Sequence, residues 1–381
     1  MAGFFYFVLI GRIKASRGLK LHSKGNERMN KMKITDVKVK RRHVKLHTPF
    51  KTALRTVTEI ESIDVVIHTD EGIVGKGAAT ATPVITGDFA NGIEEAILGP
   101  IRSVLVDKDV LQFQTLLLHI QMSCIGNTSA KAAVDMALYD VYCQFHNIPL
   151  YALLGGKKEI YTDITVSVDE PLLMAKETKK HIEKGFQTLK IKVGKEAHLD
   201  LERIEAIRNV VPKSTTLRLD ANQGWKPKEA ISIIREMENR NLNIEFVEQP
   251  VHAKDWEGLK YVKDNVQTPI MADESMFSAG DALKIVQGGY ADLINIKLMK
   301  CGGIREAWKI ADIAEAAGVK CMVGSMMESS LSVSAVAHLA AAHPNIHYFD
   351  LDAPLWLVEE PEGMTYTGPK VNLHSVVNIQ S

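Results

Sequence analysis

Charge of one sign is what this chain most clearly lacks. Its 46 lysines and arginines are matched by 46 aspartates and glutamates, and neither sign gathers into a stripe, so the footprint of a nucleic-acid or anionic-membrane binder is missing. The apolar stretch at residues 4–10 is too short to span a bilayer, and with no positive charge ahead of it only a weak signal-peptide pattern remains. Cysteine is scarce: Cys124, Cys143, Cys301 and Cys321 form no CxxC pair and no metal-finger spacing, which suits a reduced, cytoplasmic protein. The histidines mark out no zinc site, and no GxGxxG turn announces a dinucleotide fold. Small-molecule chemistry is what these absences leave.

Residues 1–31 divide from the rest. After the apolar stretch, 11–31 is basic and polar without periodicity and is expected to carry little order; Met29 or Met32 could equally be the start. Alternation of apolar and polar residues over 33–45 and 60–77, with Asp70-Glu71-Gly72 as a turn, predicts a small antiparallel sheet. The segments 47–58 and 80–88 read as loops. Helical periodicity follows over 89–104, 110–122 and 129–146, the last offered N-cap oxygens by Asn127, Thr128 and Ser129. Residues 32–156 thus form an α+β module.

Beyond Gly156 the texture changes to short aliphatic strands alternating with charged amphipathic helices. Strands are predicted at 162–168, 188–193, 216–220, 244–248, 269–273, 293–297, 320–325 and 346–350, a parallel series that argues for a TIM-type barrel over 157–352. Residues 353–381 form a polar tail expected to return to the first module.

The strand at 188–193 is the informative one. Thr188-Leu189-Lys190-Ile191-Lys192-Val193 puts two ammonium groups on one face and Leu189, Ile191 and Val193 on the other. Buried lysines need acidic partners. Those come at the ends of the next three strands: Asp220, Glu248 and Asp273, with Lys297 at the end of the sixth. One carboxylate at a strand end is commonly a helix cap, but three in consecutive units, flanked by inward lysines, suit a hard divalent cation, Mg²⁺ or Mn²⁺. Such a cation stabilises the enediolate formed when a bound carboxylate loses its α-proton. Lys192 and Lys297, four units apart in an eight-unit ring, are placed to remove a proton from one face and return it to the other, with neighbouring positive charge expected to keep one of them neutral. Lys190 is placed to neutralise the substrate carboxylate.

This set resembles the muconate-lactonizing subgroup of the enolase superfamily, from about Lys33 to the end. The resemblance implies a modified (β/α)7β barrel capped by the α+β domain, Mg²⁺ on Asp220, Glu248 and Asp273, acid/base chemistry by Lys192 and Lys297, and lid loops at 47–58 and 80–88. The pair Asp350 and Asp352 after the eighth strand is similar to that of dipeptide epimerases, where it holds the substrate's ammonium group. Arg55 matches the arginine that pairs with an acidic side chain, which points to Ala-Glu dipeptides and murein-peptide metabolism. Thr165, Ser325 and Met327 match positions lining the substrate pocket. Other activities of the subgroup, N-acylamino acid racemisation and o-succinylbenzoate synthesis, share the metal and lysines, and a non-catalytic metal-binding barrel is the reading from another class. Homo-oligomers are common in the family. The sequence departs at Gly75-Lys76-Gly77-Ala78, where relatives usually carry Gly-Trp-Gly-Glu.

Overall fold

The computed structural model describes residues 31–358 and 362–374. The stretches 4–10 and 11–30, with the order expected of them, and the end of the tail from 375 onward lie outside the described residues. Three strands, β1 (Ile34–Lys51), β2 (Thr56–Thr69) and β3 (Val74–Thr80), pair antiparallel in that order. Their alternation buries Ile34, Val37 and Val44 of β1 and Ile63, Val65 and Ile67 of β2. Between β2 and β3 the chain turns at Asp70-Glu71-Gly72 as expected, with Gly72 at φ +79° and the Thr69 N–H donating to the Ile73 carbonyl at 3.1 Å.

The segment 47–58 is mostly strand, not loop. β1 runs on to Lys51 after a register shift between Lys45 and Phe50, and β2 starts at Thr56, so only 52–55 is left to turn. Pro49 falls in that irregular stretch, where a missing N–H costs no ladder bond. The ribbon's end is fastened elsewhere: Lys51 donates its N–H to Ser167 Oγ (3.2 Å) and accepts at its carbonyl from Val168 N–H (3.2 Å). Tertiary hydrogen bonds thus extend a strand beyond its local pattern.

Helical chain follows at Ala90–Ala96, through a π-turn at Ile97–Ile101 that contains Pro100, then at Arg102–Leu105, Phe113–Met122 and Thr128–His146. The last lies directly on β3. A Cβ on Gly75 would stand 2.2 Å from the Ala137 carbonyl oxygen, and one on Gly77 2.1 Å from that of Ala133, so both positions need glycine for the close approach. Between them Lys76 donates its N–H to Asp140 (2.9 Å), and its Nζ pairs with Glu362 at 2.9 Å. The predicted cap oxygens of this helix are not used. Asn127 adopts a left-handed backbone at φ +49° without a capping bond, and Asp88, from the preceding loop, accepts from the Ser129 N–H at 3.0 Å.

After β4 (Ile160–Tyr161) comes an eight-stranded parallel sheet: β5 (Ile164–Val166), β6 (Thr188–Lys192), β7 (Thr216–Asp220), β8 (Ile244–Glu248), β9 (Ile270–Ala272), β10 (Leu293–Ile296), β11 (Lys320–Gly324) and β12 (Ile346–Asp350). Strand order follows the sequence, and the Asp163 N–H meets the Phe349 carbonyl at 3.2 Å where first and last strands approach. The architecture is α/β: a TIM-type barrel of eight parallel strands and an antiparallel N-terminal sheet. The tail forms a hairpin, β13 (Met364–Thr367) and β14 (Lys370–Leu373), that pairs with β4. It touches the first module through Val358 N–H on the Lys45 carbonyl (2.9 Å) and a bridge between Leu46 and Leu357.

Two stability predictions follow from this packing. Gly77→Ala should cost about 1–3 kcal/mol in urea denaturation, as overpacking does, because its methyl meets helix backbone that cannot turn aside. Burial pushes the His338 imidazole down to about 4. Its folded pKa then lies below the unfolded value of about 6.5, so the stability it carries is present above that value and is lost as pH falls toward 4. His338→Gln should lose less stability than the native chain between pH 6.5 and 4.

Candidate active site

Register brings the predicted residues to one end of the barrel. Lys192 stands beside Asp220 across β6 and β7, Asp220 beside Glu248 across β7 and β8, and Asp350 closes β12 next to Gly324. Asp273 and Lys297 each follow directly on the last residue of a strand, β9 and β10. The backbone is strained just past the ends of β7 and β8: Asn222, Gln223 and Gln249 all have positive φ. Gln249 is over-determined by its own side chain, whose Oε1 accepts from the N–H groups of Asp273 (2.9 Å) and Ser275 (3.1 Å).

The lysines are buried among the carboxylates. Lys190, 1% exposed, holds its Nζ at 2.7 Å from Asp350 Oδ2, 2.8 Å from Glu248 Oε2 and 3.0 Å from Asp220 Oδ2. Lys192 Nζ lies 2.5 Å from Asp220 Oδ2, and Lys297 Nζ 2.7 Å from Asp273 Oδ2. The other oxygen of Asp273 pairs with Lys300, which sequence reading passed over. Lys300 is fully buried and also donates to the carbonyls of Asp273 (2.5 Å) and Asn295 (3.1 Å), while Asn295 Nδ2 donates to Glu248 Oε1 at 2.7 Å. The signal for it was the spacing Lys297-Leu298-Met299-Lys300: a helical turn at Leu298–Cys301 brings the second lysine back under the first.

Burial alone would raise every one of these carboxyls. For Asp220 it is outweighed by Lys190, Lys192 and Lys297, and for Asp273 by Lys297 and Lys300, so both stay well below the usual carboxylate range. Burial and the Asp220 charge win at Glu248, which rises to about 7 despite Lys190. Burial lowers Lys297, but Asp273 and Glu248 more than reverse that, holding its ammonium form above the ordinary lysine value. The Asp273 carboxylate, 2.7 Å from Lys297 Nζ, is the contact that favours the ammonium form.

A cavity lies over these groups. Phe50, Arg55 and Ile85 close it from the N-terminal module; Thr165, Ser325, Met327, Asp350 and Asp352 line it from the barrel with Lys190, Lys192 and Lys297. Arg55 is half-buried, burial lowers its pKa, and its guanidinium has no carboxylate partner among the described residues. Asp352 Oδ2 accepts from Thr165 N–H (2.7 Å) and Trp356 Nε1 (3.1 Å). The departure at Lys76 and Ala78 falls outside this cavity's lining.

Asp220, Glu248 and Asp273 supply carboxylate oxygens only, the donor set of a hard cation. The lysines interleave with them and keep them apart. Among the described residues, the trio with ligand atoms all within 4.8 Å of one another is instead Asp312 and Glu315, on the outer helix Ile304–Ala316, with His343, just past the helix Ser330–Ala342. That trio does not suit a metal: His343 Nδ1 accepts from the Asn345 N–H at 3.1 Å, so the ring proton sits on Nε2, 3.2 Å from Asp312 Oδ1.

Capped barrel and strand-end lysines and carboxylates together define an enolase-type enzyme. The comparisons agree: residues 173–372 match the enolase C-terminal domain-like family and residues 34–155 the mandelate racemase/muconate lactonizing enzyme N-terminal domain. The chain belongs to this family, and it is an isomerase. It is 51% identical over 346 residues to the L-Ala-D/L-Glu epimerase of Bacillus subtilis (strain 168), covering 90% of this chain and 94% of that one. The substrate-liganded structure of the B. subtilis L-Ala-D/L-Glu epimerase superposes with a TM-score of 0.89 at 50% identity, covering 90% and 97% of the two chains. A dipeptide epimerase from Enterococcus faecalis V583, complexed with Mg and L-Leu-L-Tyr, gives 0.86 at 42% identity, with 90% and 98% covered.

Lys300→Met tests the buried clamp. Removing one partner of a buried ion pair costs about 3–5 kcal/mol, and because Lys297 still faces Asp273, the loss measured by urea denaturation should fall toward the lower end.

Proposed function

We propose that the protein is a Mg²⁺-dependent dipeptide epimerase that inverts the α-carbon of the C-terminal residue, with L-Ala-L-Glu and L-Ala-D-Glu as its favoured pair. The observation that carries this is the cavity's charge pattern: the Arg55 guanidinium, with no carboxylate partner among the described residues, and two carboxylates, Asp350 and Asp352, line the same space as the lysines. A dipeptide with a free amine and an acidic C-terminal residue matches both ends of that pattern. Arg55 receives the glutamate side chain in a bidentate pair, and the aspartates receive the ammonium group. An N-acylated amino acid has no α-ammonium group to offer them. Support also comes from the names of the relatives, among them epimerases of L-Ala-D/L-Glu.

Asp220, Glu248 and Asp273 would hold the cation, as their all-oxygen donor set fits. Bound there, Mg²⁺ supplies a Lewis acid for the negative charge that gathers on the substrate carboxylate as its α-proton departs. Lys190 adds a fixed positive charge beside it. Lys192 and Lys297, on strands at opposed positions of the ring, face the α-carbon from either side, so one takes the proton and the other returns one to the opposite face. Each lysine is base for one epimer and acid for the other. The ribbon carrying Phe50 and the 80–88 loop carrying Ile85 keep bulk water from the carbanionic carbon.

Proton NMR of L-Ala-L-Glu with enzyme and Mg²⁺ in D₂O should show loss of the glutamate α-proton signal together with the L-Ala-D-Glu diastereomer. Lys192→Ala and Lys297→Ala should each stop inversion, lowering kcat about 10²–10⁴-fold or more, yet each should leave α-proton exchange in one diastereomer only. Racemisation of an N-succinylamino acid without change in the dipeptide would keep the chemistry and overturn the substrate.

A further inference from the structure

The two aspartates after β12 are not in equivalent states. Asp350 is committed: its Oδ2 pairs with Lys190 at 2.7 Å, and although burial raises its carboxyl, Lys190, Lys192 and Lys297 pull it below the usual range. Asp352 has no lysine or arginine partner among the described residues, and burial with the Asp350 charge raises it. What it has is a set of fixed dipoles. Thr165 N–H and the Trp356 indole N–H both point at Oδ2, at 2.7 and 3.1 Å.

The turn that carries Asp352 is held from both sides. Leu351 N–H donates to Thr162 Oγ1 at 2.8 Å, and the Leu351 carbonyl accepts from the Tyr366 hydroxyl at 2.6 Å. Tyr366 belongs to β13, so the C-terminal hairpin reaches back to the substrate cavity's rim. Trp356, 5% exposed, also packs edge-on against Phe50 at 5.0 Å, in the ribbon that covers the cavity. A buried indole needs an acceptor for its N–H, and a buried carboxylate without an ammonium partner needs donors. Each meets the other's need, which locks the Asp352 side chain in one orientation before any substrate arrives.

We infer that Trp356 and Tyr366 are positioning residues that set specificity for a free amine: Trp356 orients the Asp352 carboxylate and Tyr366 the turn beneath it, making Asp352 the principal site for the substrate's ammonium group and leaving Asp350 to Lys190. This rests on the dipeptide reading above. Neither residue touches the reacting carbon. Their loss therefore weakens binding of the amine while the proton-transfer step is kept.

The test is a double-mutant cycle on steady-state kinetics with L-Ala-L-Glu, using Asp352→Asn, Trp356→Phe and the pair together, with Tyr366→Phe measured alongside. Phenylalanine keeps an aromatic ring beside Phe50 while removing the N–H together with the five-membered half of the indole, and Mg²⁺ titration by calorimetry checks that each variant retains its site. Trp356→Phe should raise KM about tenfold or more, the scale of a lost hydrogen bond to a charged group, with kcat near the native value. In the Asp352→Asn background it should add little, since the indole acts through that carboxylate. Tyr366→Phe should raise KM by a smaller factor. Unchanged KM in Trp356→Phe, a fall confined to kcat, or full additivity in the cycle would overturn the inference while the dipeptide reading stands. An unchanged KM in Asp352→Asn would remove the ammonium site itself, and the inference with it.

Discussion

A lysine ammonium held among three carboxylates inside the barrel is the constraint on which the rest of the structure depends. Taking an ion from water costs several kcal/mol even after relaxation, and Lys190 is almost wholly buried beside Asp220, Glu248 and Asp350. The cost is offset only if every partner arrives at its place, and those partners come from β7, β8 and β12. A slip of one residue in any of these strands would turn its carboxylate toward the outer helices. The charge network and the barrel's register therefore specify one another.

The same network explains why the site is ringed by supports with no reactive role of their own. Asp273 is held by Lys300 and by Gln249, and Glu248 by Asn295. Asp135, on the long helix of the N-terminal module, accepts from Ile304 N–H at 2.7 Å, and Gln121 Nε2 donates to the Gly302 carbonyl at 2.7 Å. These two contacts pin the Gly302-Gly303 turn that ends the helical turn carrying Lys300. The module thus does more than cover the mouth: the glycines of β3 let its helix sit close, and that helix steadies a loop of the barrel.

Much of the chemistry was legible because strands and charges follow simple periods. Alternation placed Lys190 and Lys192 on one face, and the recurrence of strand, helix and strand-end acid marked Asp220, Glu248 and Asp273 as members of one set. Local pattern misled at the ribbon of 47–58, whose extended form depends on Ser167 and Val168, and at the helix cap of Thr128–His146, where Asp88 from another segment displaces the nearby oxygens. Lys300 escaped because strand periodicity ends at Ile296 and a single helical turn follows.

The sequence by itself determined the kinds of most elements, the order of the barrel strands and most of the side chains that meet at their ends, since period and spacing act over a few residues and the parallel crossover repeats. Only the tertiary structure decided the charge state of the site and its boundaries. The upward shifts of Glu248 and Lys297 and the unequal Asp350 and Asp352 arise from distances between strands far apart in the chain, and electrostatic energy in a buried site depends on those distances and on the water excluded from them. The placement of Arg55, Trp356 and Tyr366 around one cavity belongs to the same category: each is an ordinary residue in its own segment, and its meaning comes from the segments that fold against it.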